Sequence, residues 1–262
     1  MKEFPDKNDL EVRWVMAVED YGQLDQVDVL AVGAHPDDVE IGCGGLLALA
    51  AQRNYRVGIA DLTRGEMGTK GTAEIRQKEA QAAASVLGAA FRVNLGLPDT
   101  GVIDSVEYAQ RLAAVIRAAR PAIVLAPYWV DRHPDHVGAS HLTQRAVLYA
   151  ALKKMTIGAW PAHSVDRLLF YPINEETLPS FVTDITPVWE IKLKAVQTHA
   201  SQFGQGVAII DQKVFGKDDY LRSLEDRARS FGNRIGASFG EGFILMDTIA
   251  ITDPVTFFRR GT

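Results

Sequence analysis

Four ionisable side chains crowd the segment AHPDDVE near the start of the chain. His35, Asp37, Asp38 and Glu40 directly follow an apolar run, so they are expected where a strand ends and a helix begins. Neutral imidazole and carboxylate are suitable zinc ligands, and a catalytic zinc needs three protein ligands with a fourth position open to water. His35 and one of the two aspartates could supply two of these ligands. Either aspartate could instead cap the following helix, which is a common use of this residue.

A second segment, DRHPDH, places two histidines around a Pro-Asp pair after another apolar run. The three-residue spacing between His133 and His136 lets both imidazoles lie on one side of a first helical turn. One could then bind a metal while the other faces a substrate. A single histidine here could equally be a surface or capping residue, and Pro134 suits the first turn of any helix. Two His-Pro-Asp segments, each after a predicted strand, favour one shared metal-dependent site over coincidence.

The elements that must position these residues can be predicted from hydrophobic periodicity. Short β-branched apolar runs alternate with longer amphipathic stretches, which predicts a Rossmann-like α/β fold with a mostly parallel sheet flanked by helices. The predicted strands cover 27–34, 55–62, 91–95 and 122–127, and the predicted helices cover 39–53, 73–88, 105–119 and 134–153. Open α/β sheets carry their sites at the carboxyl ends of strands. Both histidine segments are therefore expected on one rim, provided that the first and fourth of these strands lie near each other.

The second half of the chain has a less regular pattern, which predicts a C-terminal elaboration of the same domain. Strands are predicted at 166–172, 181–185 and 242–247, and helices at 186–201, with Thr186 as N-cap, and at 218–232. The first 26 residues are polar and lack clear periodicity, so they could form a strand, an arm that binds a partner or a frayed end. We therefore predict an N-terminal extension, 1–26, followed by a single domain, 27–262.

Composition and charge exclude several classes of protein. Hydrophobic residues make up 47% of the 262 residues and charged residues 23%, as in a globular enzyme and unlike a disordered chain. A net charge of −5 gives no basic field for nucleic acid. The apolar runs are far shorter than the roughly 20 residues of a membrane-spanning helix. The N-terminus lacks a signal-peptide core and Cys43 is the single cysteine, so we expect a cytoplasmic protein.

The two histidine segments and several others resemble one known family, the LmbE-like or PIG-L-type zinc deacetylases of N-acetylglucosamine derivatives. The resemblance covers about residues 27–245 and is carried by AHPDDVEIGCGG, DLTRGEMGTKGT, EIRQKEAQAAASVLG, NLGLPDTG, DRHPDH and KAVQTHASQF. Among the branches of the family, the chain looks most like the bacillithiol-biosynthesis deacetylases, which hydrolyse N-acetylglucosaminyl malate. The resemblance implies conversion of that compound to glucosaminyl malate and acetate, and a homo-oligomer such as a hexamer.

The resemblance also implies the metal ligands and the base. His35, Asp38 and His136 become the zinc ligands, with water in the open position. Histidine and carboxylate sites accept several divalent ions, so iron or manganese could take the place of zinc. Asp37, next to the ligand Asp38, becomes the general base that accepts a proton from the attacking water.

Further roles follow for residues around the expected pocket. A protonated His133 would stabilise the oxyanion, with Asp135 holding its imidazole in orientation and favouring the charged form. Arg64 and Arg132 would contact the substrate, since a guanidinium suits the carboxylates of a malate aglycone. Either arginine could instead be a solvated loop residue.

Other polar residues carry weaker expectations. Glu66 and Asp99 are candidates for binding sugar hydroxyls. Some relatives carry a tyrosine just before the histidine of HPDH, whereas this chain has Asp131 and Arg132 there, so the additional oxyanion donor is unidentified. His199 in KAVQTHASQF is expected to pack in the structure, with lining of the pocket as the alternative.

Three other functions compete with a malate-directed deacetylase. The metal centre would serve equally for another N-acetylglucosaminyl glycoside or a chitooligosaccharide, because loops outside the motifs select the aglycone. A nucleotide-binding protein is disfavoured, since IGCGG lacks the GxGxxG spacing and follows an acidic segment. A catalytically silent family member that binds a sugar or stabilises a partner complex is disfavoured because every expected catalytic residue is present.

Overall fold

The computed structural model of the chain describes residues 13–15, 24–175, 177–203 and 220–259. Their strands form a mixed sheet in the order β1-β4-β3-β2-β5-β6-β8-β7. Neighbours from β1 to β6 in this order run parallel, whereas β8 runs antiparallel to both of its neighbours. The predicted α/β fold with a mostly parallel sheet is thus confirmed. The strands are β1 (Arg13–Val15), β2 (Val29–Gly33), β3 (Val57–Thr63), β4 (Phe91–Leu97), β5 (Ile123–Pro127), β6 (Arg167–Tyr171), β7 (Phe181–Asp184) and β8 (Gly240–Leu245).

Helices connect and cover these strands, and none in the described residues is long and apolar enough to cross a membrane. The helices are α1 (Asp38–Gln52), α2 (Ala73–Leu87), α3 (Val106–Ala119), α4 (Pro134–Ala151), α5 (Trp189–Gln197), α6 (Ala200–Phe203), α7 (Tyr220–Ile235) and α8 (Pro254–Phe258). Hydroxyl groups cap the starts of α2 and α3, where the side chains of Thr72 and Ser105 accept hydrogen bonds from the backbone N–H three residues later.

The core lies on both faces of the sheet, because successive side chains of β2 belong alternately to two hydrophobic clusters. Val29 and Ala31 join a cluster built with α1, α2, α5 and α7, whereas Leu30 and Val32 join the cluster that includes α3 and α4. Side chains two residues apart in a strand point to the same face, so a wholly apolar strand can be buried on both sides. This double layer fixes β2 and β5 at the centre of the sheet, with their carboxyl ends on the rim that carries both histidine segments.

The helix predicted at 186–201 is divided into three pieces. Thr186 does not cap it; a 3-10 turn, Thr186–Val188, comes first, and the Thr186 N–H donates to Asp184 Oδ1 at 2.9 Å. The chain then leaves the helical path after α5, because Ser201 turns toward α2. Its N–H and hydroxyl donate to the two carboxylate oxygens of Glu79 at 2.7 and 2.6 Å. Tertiary contacts therefore override the helical periodicity of this segment.

The N-terminal extension contributes β1, which pairs in parallel with β4 at one edge of the sheet. Residues 1–12 and 16–23 lie outside the described residues, as do the first two residues of the helix predicted at 218–232. That helix extends to Ile235. The division into an extension and one domain stays a prediction.

A buried group of charged side chains, which we call the Arg92 cluster, lies beneath the start of α1. It consists of Arg92, Glu40, Asp61 and His199, each with an exposed fraction of 0%. The Arg92 guanidinium donates to Glu40 Oε1 at 2.5 Å and to both oxygens of Asp61 at 2.7 and 2.8 Å. His199 Nε2 lies 3.3 Å from Glu40 Oε1, so its position fits the structural role expected for it. Because Glu40 is in the first turn of α1, this cluster fixes the floor of the histidine-rich rim.

Candidate metal centre

The two histidine segments meet because their strands are direct neighbours. β2 pairs with β5, with Ala31 opposite Leu125, and each strand is followed by a short loop and then by a helix that begins at the same rim. The rings of His35 and His136 consequently lie with centroids 5.4 Å apart. The proximity of the first and fourth predicted strands, on which the shared site depended, is therefore observed.

Three side chains bring potential ligand atoms together. One nitrogen each from His35 and His136 and one carboxylate oxygen of Asp38 all lie within 4.8 Å of one another. Asp38 is between the rings, with Oδ1 3.2 Å from His136 Nε2 and Oδ2 3.5 Å from His35 Nδ1. All three residues are buried. Two imidazoles and a carboxylate in this arrangement fit a divalent transition metal and leave a coordination position for another ligand.

The outward-facing nitrogen of each histidine contacts carboxylates. His35 Nε2 lies 3.1 Å from Asp99 Oδ1 and 3.2 Å from Asp135 Oδ2, and His136 Nδ1 lies 3.0 Å from Asp131 Oδ1. A metal-binding histidine commonly donates its second ring N–H to such a carboxylate, which fixes the tautomer and orients the ring. The geometry therefore assigns His35 Nδ1 and His136 Nε2 as the nitrogens available to a metal.

The carboxylates around the histidines favour positive charge at this point. Burial lowers the pKa of His35, but contacts with Asp135 and Asp38 outweigh burial and raise the pKa well above its ordinary value. Burial likewise lowers the pKa of His136, but Asp38 and Asp131 outweigh it and raise the pKa to about 9. Surroundings that stabilise imidazolium so strongly carry an excess of negative charge, which a divalent cation would neutralise.

A second group of side chains, His35, His133 and Asp135, also brings three ligand atoms within 4.8 Å. Its carboxylate already accepts hydrogen bonds from the backbone N–H groups of Thr100 at 2.8 Å and Val102 at 3.2 Å. His133 Nδ1 is engaged as well, because it accepts the Asp135 N–H. The group of His35, Asp38 and His136 is therefore the better site for a metal.

Asp37 is at the N-cap position of α1 but does not cap the helix with its side chain. Its carboxylate instead accepts a hydrogen bond from the buried guanidinium of Arg76, with Nη2 to Oδ2 at 3.3 Å. Asp38, the first residue of the helix, accepts the N–H of His35 at 2.9 Å. The capping alternative therefore fails for Asp37. Burial raises the pKa of Asp37 and Arg76 opposes that rise, with a net upward shift, as suits a carboxylate that accepts a proton.

His133 and Asp135 interact through the backbone, which corrects the expectation that the Asp135 carboxylate orients this ring. The Asp135 N–H donates to His133 Nδ1 at 3.2 Å, since His133 is the N-cap of α4. A nitrogen that accepts a hydrogen bond carries no proton, so the neutral ring holds its proton on Nε2. Burial and the nearby His35 and His136 also lower the pKa of His133. These surroundings favour the neutral form of the His133 ring, and its catalytic role stays a prediction.

The two arginines expected to bind substrate differ in their surroundings. Arg64 donates to Glu74 Oε1 at 3.0 Å in an exposed ion pair on the surface. Arg132 donates to Asn174 Oδ1 at 3.3 Å, and Asn174 in turn contacts His136 and Asp131. Arg132 is therefore linked to the metal centre by a single intervening side chain, whereas the carboxylate that pairs with Arg64 lies on α2.

Glu66 and Asp99 join two rim loops. Asp99 Oδ2 accepts the N–H of Met67 at 2.8 Å, and Glu66 Oε1 accepts the N–H of Asp99 at 2.9 Å. Asp99 also reaches His35, so its position fits a residue that orients a metal ligand better than one that binds a sugar hydroxyl. Glu66 is exposed at the rim, where a sugar could reach it.

Sequence reasoning assigned no site role to Arg76, Asn174 and Asp131. Asp131 was noted as a departure from the tyrosine of some relatives, and the structure shows that it holds His136, the His133 N–H at 2.8 Å and Asn174. The sequence did contain a signal for a site role of Asp131, because this aspartate lies two residues before His133 and five before His136. Arg76 lies in EIRQKEAQAAASVLG, a segment that supports the family resemblance but contains no metal-binding or catalytic pattern, and Asn174 lies outside the quoted segments.

The glycine-rich segment that raised the nucleotide-binding alternative is closed by an internal carboxylate. α1 is kinked at Cys43, and beyond the kink the N–H groups of Gly45 and Leu46 both donate to Glu241 at 2.7 Å. A Cβ at position 45 would lie 2.9 Å from Glu241 Oε1, so glycine permits this close approach. Glu241 thus takes the backbone amides that a phosphate would need, and it is also paired with Lys192.

Replacing Asp131 with Asn is expected to weaken metal binding. The change removes the negative charge that orients His136 Nδ1, so the metal dissociation constant should rise roughly 10- to 100-fold. Competition with a chromogenic chelator would measure this constant. Asp104→Asn, which alters a surface ion pair with Arg145, is the matched control and should leave the constant unchanged. An unchanged constant in Asp131→Asn would contradict the assigned orientation of His136.

The site residues fall within a region shared with known proteins. The family described as GlcNAc-PI de-N-acetylase, PIG-L, matches residues 30–147, which include both histidine segments. The chain is 33% identical to diacetylchitobiose deacetylase of Thermococcus kodakarensis, over 82% of this chain and 81% of that protein. It is 31% identical to 4-oxalmesaconate hydratase of Pseudomonas putida, over 68% of this chain and 74% of that protein.

A solved structure shows the same architecture. The conserved protein TT1542 of Thermus thermophilus is similar with a TM-score of 0.79 and 40% identity, covering 90% of this chain and 100% of that chain. Sequence and fold therefore agree over most of the length of the chain. On these grounds the chain belongs to the PIG-L family.

Proposed function

We propose that this protein hydrolyses the acetamide of an N-acetylglucosamine derivative with the help of a divalent metal held by His35, Asp38 and His136. Zinc is the first candidate for this metal. The observation that carries the proposal is that these three side chains converge close to Asp37. Asp37 follows β2, as His35 and Asp38 do, but its carboxylate is not one of the three proposed ligands. Deacetylase activity in the relative from Thermococcus kodakarensis supports the same chemistry. The expected cytoplasmic location and oligomeric form stay predictions.

The side chains divide the work of the reaction between them. When bound, the cation would polarise the attacking water and the acetamide carbonyl. Asp37 accepts a proton from that water while the water oxygen forms a bond to the carbonyl carbon. His133 Nε2–H donates to the developing oxyanion, which a neutral ring can do. The C–N bond then breaks, and the amine leaves with the proton that Asp37 had taken, so the products are acetate and a free amino sugar.

N-acetylglucosaminyl malate is the substrate we put first. The motifs resemble those of the malate-directed branch, and Arg132 lies beside the metal centre, where its guanidinium could bind a carboxylate of the aglycone. N,N′-diacetylchitobiose is the second candidate, because the 33% identical relative that spans most of the chain acts on it. Both compounds present the same acetamide, so the choice depends on the loops around the rim.

The hydratase relative provides a rival of a different class. Adding water to a carbon–carbon double bond also uses an activated water, so family membership alone does not select amide hydrolysis. A hydratase releases no acetate and no amine. Measuring these two products therefore separates the two functions directly.

The decisive experiment measures acetate and free amine released from malate-linked, inositol-linked and free N-acetylglucosamine and from diacetylchitobiose, at equal metal content. We expect release from the malate-linked compound to be the fastest. Arg132→Ala should raise KM for this substrate by roughly 10-fold or more, as loss of a charge-assisted hydrogen bond predicts. Arg64→Ala should leave KM within about twofold, since the guanidinium it removes is paired with Glu74.

Three outcomes would revise the proposal in different ways. Faster release from diacetylchitobiose, unaffected by Arg132→Ala, would replace malate with the disaccharide and preserve the deacetylase chemistry. A KM effect in Arg64→Ala alone would move the aglycone to the other side of the rim. Absence of acetate from every compound, with hydration of 4-oxalmesaconate, would reject deacetylation.

A further inference from the structure

Asp37 has an unusual backbone conformation for a residue other than glycine. Its φ is 140° and its ψ is −23°, at the junction between β2 and α1. Such conformations are sparsely populated and persist only where the surrounding structure holds them in place. The proposed base is therefore attached to a segment of backbone that needs external support.

Arg76 supplies that support from α2. Its side chain is 5% exposed, and its Nη2 donates to the carbonyl oxygen of Pro36 at 2.9 Å as well as to Asp37 Oδ2 at 3.3 Å. A single planar group thus holds both the peptide that precedes Asp37 and the Asp37 carboxylate. No other motif residue described above makes both of these contacts.

The loop after β3 is shaped around the same guanidinium. Nη1 of Arg76 donates to the carbonyl oxygen of Gly65 at 2.9 Å. Gly65 has φ +65°, and a Cβ at this position would lie 2.0 Å from Nη1. Glycine therefore permits the loop to close over Arg76, so the guanidinium is fixed from three sides: Pro36, Asp37 and Gly65.

We propose that Arg76 is a positioning residue for Asp37. It holds the 36–37 peptide in its unusual conformation and engages Oδ2, so that the carboxylate is aligned before substrate arrives. This inference rests on the proposed role of Asp37 as the base. This role requires the shape of the guanidinium as well as its positive charge. A lysine would keep the charge, but its single ammonium group cannot make all of these contacts in one plane.

The proposal predicts which kinetic constant changes. Misplacing a catalytic group by about 1 Å can cost roughly 100-fold in rate, so kcat should fall by about that factor in both Arg76→Lys and Arg76→Ala. KM should stay within about twofold, because Arg76 acts through Asp37 and not on the substrate. Metal content should be unchanged, since His35, Asp38 and His136 have other partners. Lys78→Ala, an exposed change on the same helix, is the matched control.

A double-mutant cycle provides the test that a merely structural role would not pass. Arg76→Lys is measured alone, Asp37→Asn alone, and the two together, with metal content and the unfolding midpoint recorded for each. If Arg76 acts through Asp37, the kcat of the double variant should lie within about twofold of the kcat of Asp37→Asn. The reason is that the carboxylate that Arg76 positions is already absent from Asp37→Asn.

The outcomes separate this proposal from the proposed function. Three results would each overturn the role of Arg76. The losses of kcat could multiply in the double variant, or Arg76→Lys could raise KM without lowering kcat. Arg76→Lys could also keep a kcat within twofold of the wild type. Near-normal turnover in Asp37→Asn alone would instead reject the base, and the positioning role with it. Arg76→Lys keeps the charge, so it covers the case in which Arg76→Ala fails to fold.

Discussion

Replacing Asp37 with Asn should reduce kcat by about two to four orders of magnitude, the range typical of a lost general base. The amide has nearly the same volume but is a poor proton acceptor, so water activation is lost while the pocket keeps its shape. The metal should stay bound, because His35, Asp38 and His136 are unchanged. Acetate release under saturating substrate, together with metal analysis of the same sample, measures both results.

His133→Ala provides an informative comparison for this variant. Its loss removes the proposed oxyanion donor but leaves the base, so kcat should again fall while metal is retained. A turnover in Asp37→Asn close to that of the wild type would require another base. Loss of metal from Asp37→Asn would show that the carboxylate contributes to the ligand set, and its rate could then not be attributed to proton transfer.

Replacing Arg92 with Met should lower the free energy of unfolding by about 3 to 5 kcal/mol, as expected when one partner of a buried ion pair is removed. Glu40 and Asp61 would remain in the core without their counter-charge. Burial raises the pKa of Glu40, but Arg92 and His199 outweigh it and bring the pKa to about 2, so Glu40 is held as a carboxylate. Denaturant unfolding of the metal-saturated protein measures the change.

The matched control for Arg92→Met is Arg145→Met. Arg145 is 38% exposed in its ion pair with Asp104, so its loss should lower the free energy of unfolding far less than the loss of Arg92. Adding Glu40→Gln and Asp61→Asn to Arg92→Met should recover part of the lost stability, because the uncompensated charges disappear. Equal destabilisation by Arg92→Met and Arg145→Met would show that the Arg92 cluster contributes no more than a surface pair.

Local pattern was enough to predict the strands that bring the two histidine segments to one rim. β-branched apolar runs located the strands around β2 and β5 to within about two residues, and the rule that polar residues at strand ends share a rim brought His35 near His136. The Asp38 contact with both rings follows from the same geometry. These features depend on short-range sequence and on sheet topology, which hydrophobic periodicity encodes.

Contacts between distant segments could not be predicted in this way. Arg76 occupies a buried position of an amphipathic helix, and nothing local indicates that its guanidinium reaches a carboxylate 39 residues away. Glu241 caps the second half of α1 from 196 positions away. The break after α5 likewise depends on Glu79, which the periodicity of that helix does not include. Side-chain hydrogen bonds of this kind are specified by packing and not by period.

The pairing of β2 with β5 also has a consequence during synthesis of the chain. His35 and Asp135 are 100 positions apart, so a ribosome that adds about 5 to 20 residues per second needs roughly 5 to 20 s to pass from the first histidine segment to the second. Through that interval the nascent chain contains His35 and Asp38 but not yet His136. The complete set of proposed ligands therefore exists only after α4 has begun to emerge, so metal loading would be confined to the later stages of translation or to the finished protein.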